Sequence, residues 1–145
     1  MENFVKHFIR ASLVWLGVGV LLGVSMVLFP AQALVYRAAH MHANLLGFVS
    51  MMIFGVAYHV LPRFAGHPLY SRRAAALHVV AANAGLALMV AGWIVRVHAA
   101  DVGAVMLPAG ALASAAGAFL FIANIWRTLS GAPATSRLEA ARAVR

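Results

Sequence analysis

The sequence predicts an all-α integral membrane protein in which four transmembrane helices form one bundle. Of its 145 residues, 64% are hydrophobic and only 10% are charged, and the mean hydropathy is +0.91, far above the range of a soluble domain. Four apolar segments, at about residues 12–29, 32–61, 74–95 and 102–126, are each long enough to cross a hydrocarbon core of about 30 Å. Breaker residues separate these segments, so we expect four distinct spans.

The ends of the four segments follow from their flanking residues. Pro30 closes the first segment, and Pro62 closes the second ahead of Gly66 and Pro68. The polar stretch 96–101 separates the third segment from the fourth. We therefore expect a single transmembrane domain over residues 1–129 and a basic cytoplasmic tail over residues 130–145.

The distribution of basic residues predicts the topology. Cytoplasmic loops of membrane proteins carry an excess of Lys and Arg. If the N-terminus is cytoplasmic, only Arg37 and Arg96 lie on the outer side. We therefore expect a multi-pass protein of the bacterial cytoplasmic membrane with both termini inside. The basic residues expected inside are Lys6, Arg10, Arg63, Arg72, Arg73, Arg127, Arg137, Arg142 and Arg145.

Small residues recur on the last two segments. Gly103, Gly110 and Gly117 are spaced by seven, and so are Gly85 and Gly92. Such seams let helix backbones approach closely in lipid, where no hydrophobic force drives helices together. We expect these glycines to serve helix packing rather than catalysis.

The composition excludes several functions. The chain has no cysteine, which excludes disulfides, iron–sulfur clusters and thiolate-ligated haem or zinc. Its acidic residues, Glu2, Asp101 and Glu139, fall in termini or a loop, which argues against a proton pump that relies on buried carboxylates. The net charge of +8 is explained by membrane topology, so we expect no nucleic-acid partner.

A pair of histidines marks the second segment. Ionisable side chains at bilayer depth are costly and usually functional. Residues two apart on an α-helix point about 200° away from each other, so His40 and His42 should address two sites on opposite flanks. In a closed ring of copies, His40 of one copy can face His42 of the next. Hydrogen bonding of both histidines to carbonyls or waters inside the bundle is the alternative.

Neighbouring residues favour haem b as the ligand of this pair. Asn44 can supply a supporting amide, Gly47 removes bulk, and Arg37 lies one turn toward the outside. Bis-histidine haem needs two axial imidazoles, a flat apolar slot and a cation for its propionates.

The other histidines are weaker candidates. His98 ends the third segment on the same side as the pair and can approach the cofactor or a second metal. His59 lies seventeen residues beyond His42, about 25 Å along the axis, and cannot share a ligand with it. His78 is expected to be an interfacial or capping residue. His7 and His67 occupy positions typical of the membrane surface.

The stretch HMHANLLGFVSMMIFGVAYHVLPRF resembles the tenth transmembrane helix of the catalytic subunit of haem–copper oxidases, most closely the cbb3 type. The resemblance covers about one helix of four. The matching residues are His40, His42, Leu46, Gly47, Gly55, Tyr58, Pro62 and Arg63.

The resemblance implies that His40 ligates a high-spin haem and His42 a low-spin haem. It also implies that the four-helix bundle corresponds to one of the three four-helix arcs of that subunit, and hence a homotrimer. The copper-binding His-Pro-Glu-Val-Tyr helix and the His-His pair of that family are absent. The chain therefore lacks a complete haem–copper active site, and whether it is an enzyme stays open. We expect electron transfer, with a redox partner, or chemistry of O2 or NO.

Two other functions stay open at the level of sequence. A copper or other non-haem metal site can draw on His40, His42 and His98, with the methionines Met41, Met51 and Met52 as soft ligands for copper(I). A structural membrane subunit without cofactor needs only hydrogen-bonded histidines.

Overall fold

The computed structural model describes residues 1–131 as four long helices without strands. Helix α1 spans Asn3–Leu28, α2 spans Pro30–Phe64, α3 spans Arg72–Val95 and α4 spans Ala100–Leu129. All four are long and apolar enough to cross a membrane. The described chain is thus an all-helical, multi-pass membrane protein. Apart from Ser130 and Gly131, the tail expected at 130–145 lies outside the described residues.

Helix α1 begins nine residues before the predicted start at residue 12. Its first two turns carry Phe4, Val5 and Phe8, which are buried in the core. Phe8 packs against the rings of Phe54 and Tyr58 of α2, with centroids 5.9 Å away in both cases. Burial of these side chains extends the helix beyond its purely apolar part, although Lys6, in the same turns, is exposed.

Helix α2 changes its winding along its length. A 3-10 turn at Pro30–Gln32 leads into α-helix at Ala33–His42, then a π-helical segment at Ala43–Ser50, then α-helix at Met51–Phe64. Inside the π-helical segment the Ser50 hydroxyl donates to the carbonyl of Leu45 at 2.8 Å. This π-helical segment was not expected from the sequence. It directly follows the histidine pair, and π-helical segments are often found at functional sites.

Gly66 ends α2. Its φ of +72° is the only positive φ among the described residues. The Gly66 N–H donates to Arg63 O at 3.2 Å, and the His67 N–H donates to Pro62 O, also at 3.2 Å. This is the Schellman arrangement, which requires a residue that tolerates the left-handed conformation. Pro62, expected to end the helix, lies instead in its last turn.

The glycine seam between α3 and α4 is confirmed. A Cβ atom at Gly85 would lie 2.8 Å from Gly110 O, and one at Gly110 would lie 2.6 Å from Gly85 O. Farther along, a Cβ at Gly103 would meet Gly92 O at 2.9 Å. The two backbones therefore touch over several turns, which a larger residue at these positions would prevent.

One end of the bundle collects most of the basic side chains. We call it the basic end: α1 and α3 begin there, and α2 and α4 end there. Arg72 forms an ion pair with Glu2 at 3.0 Å, and the Tyr70 N–H donates to the Thr128 hydroxyl at 3.0 Å, which ties these helix ends together. Arg37 and Arg96 belong to the opposite end.

Candidate functional site

His40 points from α2 toward α1. Its Nδ1 lies 2.8 Å from the carbonyl oxygen of Gly19, a distance at which Nδ1–H donates to that oxygen. The ring is half-buried. A Cβ atom at Gly23 would lie 3.0 Å from Cε1 of His40. Two glycines of α1 thus receive the imidazole, and the sequence analysis assigned no role to either.

Asn44 supports His40, as its spacing predicts. Its Nδ2 donates to the His40 carbonyl at 2.9 Å and lies 3.3 Å from His40 Nδ1. The same amide nitrogen is 3.5 Å from Nε2. A Cβ at Gly19 would lie only 2.5 Å from the Asn44 amide, so Gly19 makes room for the Asn44 side chain. Asn44 therefore fixes the position of the imidazole by contacts on α2 itself.

His42 points from α2 toward α3. Its Nδ1 lies 2.7 Å from the carbonyl oxygen of Ala38, and its ring centroid is 6.2 Å from that of Trp93. The guanidinium of Arg96 lies over the ring of Trp93, 5.8 Å from its centroid. An open groove of about 360 Å³ runs between α2 and α3 here, lined by Leu34, Val35, Ala38, Trp93, Arg96 and Val97.

The two rings face different helices, as their spacing predicts. In each ring Nδ1 contacts a backbone carbonyl, which is the arrangement that the structural alternative also expects. Nε2 of His42 is then the nitrogen that a haem iron could take, whereas a metal at Nε2 of His40 would have to displace the Asn44 amide nitrogen, 3.5 Å away. Metal-ligating histidines usually donate their second ring N–H to a carbonyl or carboxylate, which fixes tautomer and orientation. Since each flank of one chain carries a single such nitrogen, a second axial ligand has to come from elsewhere.

Arg37 and Gly47 take different positions around the pair. Arg37 is exposed, one turn before His40, and the single ion pair within residues 1–131 does not involve it. Gly47 is buried, and a Cβ atom there would lie 2.5 Å from Cβ of Trp15 and 3.0 Å from Leu86. The space beside Gly47 is therefore filled by Trp15, whose Nε1 also donates to Asn83 at 3.2 Å. Within one chain this glycine serves the contact between α1 and α2.

His98 does not join the pair in one chain. It is exposed in the turn after α3. Across residues 1–131, no group of three or more His, Cys, Asp or Glu side chains is arranged to hold a metal ion. Two of the methionines considered for copper are also engaged elsewhere: Met51 is buried in the core, and the Met52 sulfur lies 3.9 Å from the Ser12 hydroxyl. A three-histidine copper site is thus not assembled by a single chain.

The expectation that His78 is an interfacial or capping residue is wrong. It is fully buried, and Ser71 caps α3 instead, with its hydroxyl accepting from Ala74 N at 3.1 Å. The Nδ1 of His78 lies 3.1 Å from the Tyr58 hydroxyl, and Phe54 and Phe8 pack on the ring with centroids 4.6 and 4.7 Å away. The burial of His78 results from tertiary contacts, which the sequence does not reveal. Tyr58, in the stretch that resembles the oxidase helix, is a polar side chain in an apolar helix and therefore indicates that a polar partner lies nearby.

His67 also departs from its expected surface position. It is only 9% exposed, because Gly131 at the end of α4 closes over its ring, where a Cβ atom would lie 2.8 Å from Cε1. His59 remains near the basic end, within 3.0 Å of the guanidinium of Arg63. His7 is exposed as expected.

Comparison with known proteins adds no identification. No protein-family model matches the chain, and no curated protein sequence matches it.

Proposed function

We propose that the protein is a membrane haem b protein that works in electron transfer or in the chemistry of O2 or NO. His40 and His42 are the iron ligands, one on each flank of α2. The proposal draws on the sequence resemblance to haem–copper oxidases and on the arrangement of the two imidazoles.

The observation that supports the proposal is the matched anchoring of the two rings, which a structural subunit would also show, so the spectrum described below decides between the two. His40 Nδ1 is 2.8 Å from Gly19 O and His42 Nδ1 is 2.7 Å from Ala38 O. An anchored imidazole presents Nε2 in one fixed direction, which reduces the cost of ordering a ligand. Asn44 adds a second constraint on His40 through its carbonyl.

A homotrimer would complete the ligand sets. His40 lies on the α1 side of α2 and His42 on the α3 side, so a closed ring in which the α1 side of one copy meets the α3 side of the next would bring His40 of one copy toward His42 of its neighbour. The exposed apolar faces of α1 and α2 are available for such contacts, since Leu21 and Leu34 are 72% and 84% exposed. Arg37, exposed and outside the single described ion pair, is the cation for the propionates.

The residues of this chain would do three things in such a protein. His40 and His42 would hold the iron, Asn44 and the two carbonyls would hold the rings, and the apolar faces would exclude water. When bound, haem b supplies a one-electron iron couple for electron transfer, and gas chemistry requires an axial position to open.

The test is the spectrum of the protein purified from cells with normal haem supply, together with the variants His40→Ala and His42→Ala. We expect a Soret band and reduced bands of haem b in the parent, and loss of most haem in each variant, with low-spin features lost first. His59→Ala is the matched control, since it removes a histidine of the same helix outside the pair.

Three results would contradict the proposal in different ways. Full haem content with an unchanged spectrum in both variants would remove His40 and His42 as ligands. A colourless parent with bound copper would favour a metal site formed between copies. A colourless, metal-free parent that folds normally would favour a structural subunit.

A further inference from the structure

A groove at the basic end has the composition of a headgroup site. It has a volume of about 400 Å³ and lies where α1 begins, α2 ends and α3 begins. Its lining includes the exposed side chains of Arg63 and Arg72, which we call the rim, together with the imidazoles of His59 and His67, and Glu2 is its single carboxylate. The groove therefore carries a net positive charge with hydrogen-bond donors, which suits a phosphate group.

Part of the lining of the groove is apolar. Phe4, Leu69, Pro62 and Pro68 contribute to it beside the charged side chains. A free inorganic anion gains nothing from these apolar groups, whereas an amphiphile places its phosphate on the arginines and its glycerol and first methylenes on the apolar part. The shape and polarity of the lining thus favour a phospholipid over a soluble anion.

Aromatic side chains place this end at the membrane interface. Phe64, Tyr70 and Trp126 are 84%, 58% and 73% exposed, and all three lie in the last turns of helices or the loop at the basic end. Exposed Tyr and Trp concentrate at headgroup level in membrane proteins. A groove at the same level meets lipid phosphates rather than acyl chains.

The rim arginines are held in place. The Arg63 guanidinium is bonded back to the carbonyl of His59, one turn earlier on α2, and Arg72 is paired with Glu2 at 3.0 Å. Both guanidinium groups therefore already have a protein partner, which a phosphate has to share or displace. Glu2 at the same time competes with any phosphate for Arg72.

We propose that this groove binds the headgroup of one anionic phospholipid from the leaflet at the basic end, with its phosphate on Arg63 and Arg72. Basic pockets between transmembrane helices bind such headgroups in general. The site is separate from the histidine pair, so it stands whether or not the protein binds haem.

The test is native mass spectrometry of the full-length protein released from phosphatidylcholine nanodiscs that contain a minor fraction of phosphatidylglycerol. We expect one retained phosphatidylglycerol per chain. Arg63→Gln and Arg72→Gln should each weaken retention by more than about fivefold, which is the effect that one basic residue near a membrane surface has without a specific site. Arg73→Gln is the matched control, because Arg73 is equally exposed at the start of α3 but does not line the groove.

Glu2→Gln is expected to have the opposite effect on lipid retention, and this separates an effect on binding from an effect on folding. Removal of the competing carboxylate should strengthen retention of phosphatidylglycerol, whereas loss of a merely structural ion pair would weaken it or leave it unchanged. Equal losses of lipid retention in Arg63→Gln and Arg73→Gln would show that retention depends only on the general surface charge, and this would overturn the proposed site. Displacement of the lipid by millimolar inorganic phosphate would overturn the choice of a lipid over a free anion.

Discussion

Gly110→Ala tests whether the close contact of α3 and α4 stabilises the bundle. A Cβ atom at this position would lie 2.6 Å from Gly85 O and 2.8 Å from the backbone nitrogen of Met89. Both are backbone atoms, so relief requires the helices to move apart. Overpacking of this kind typically costs about 1–3 kcal/mol, which corresponds to a roughly 5- to 150-fold shift of the unfolding equilibrium toward the unfolded state.

Gly17→Ala is the control for this change. Gly17 also lies in a long apolar helix, but a Cβ atom there would have no other atom within 4 Å. We therefore expect no loss of stability, since Ala is a better helix former than Gly. Unfolding would be followed in mixed micelles, by circular dichroism and tryptophan fluorescence against the mole fraction of sodium dodecyl sulfate. Equal stabilities of Gly110→Ala and the parent, or equal losses in both variants, would refute the argument.

Three further predictions concern the proposed haem protein. Arg37→Leu should shift the haem midpoint potential or lower haem retention, because the propionates lose their cation. Redox titration and haem content would be compared with those of Arg73→Leu as the control. Equal potentials and haem contents in the two variants would remove Arg37 from the site. Native mass spectrometry in detergent should give a homotrimer with haem, and a monomer that keeps its haem would be incompatible with ligands shared between copies. The protein should show no steady oxygen reduction, since a second metal beside the haem needs several further histidines and the sequence offers only His98 beyond the pair on the expected outer side; a large, fast Soret shift with carbon monoxide and stoichiometric copper would reverse this view.

The sequence predicts the membrane class, the four spans and the glycine seam because each depends on local composition or on a fixed period. Gly85 and Gly110 are recognisable in this way without knowledge of the partner helix. The start of α1 is not recognisable in this way, because Phe4 and Phe8 extend the helix through tertiary contacts, with α2 and, for Phe8, also with His78 of α3. The same limit applies to His78, which reads as a residue near a helix start but is buried by side chains from α1, α2 and α4.

The same distinction between local and tertiary features holds for the candidate site. The opposite directions of His40 and His42 are a consequence of helical geometry and could be predicted, and so could the contact of Asn44 with His40. The carbonyl that anchors His40 belongs to Gly19 on another helix, and no spacing rule identifies it. Trp15 fills the space beside Gly47 for a similar reason, since the fit depends on how α1 and α2 cross.

The π-helical segment Ala43–Ser50 divides α2 into two parts with independent angular positions. Because its turns are wider than α-helical turns, it offsets the direction of every later side chain relative to His40 and His42. The wider turns accommodate one residue more than plain α-helix does over a similar rotation, and they keep Tyr58 directed toward His78. Conversion of the segment into plain α-helix without a change of length would therefore rotate Tyr58 about the axis relative to the histidine pair by up to about 100°, the rotation of one α-helical residue.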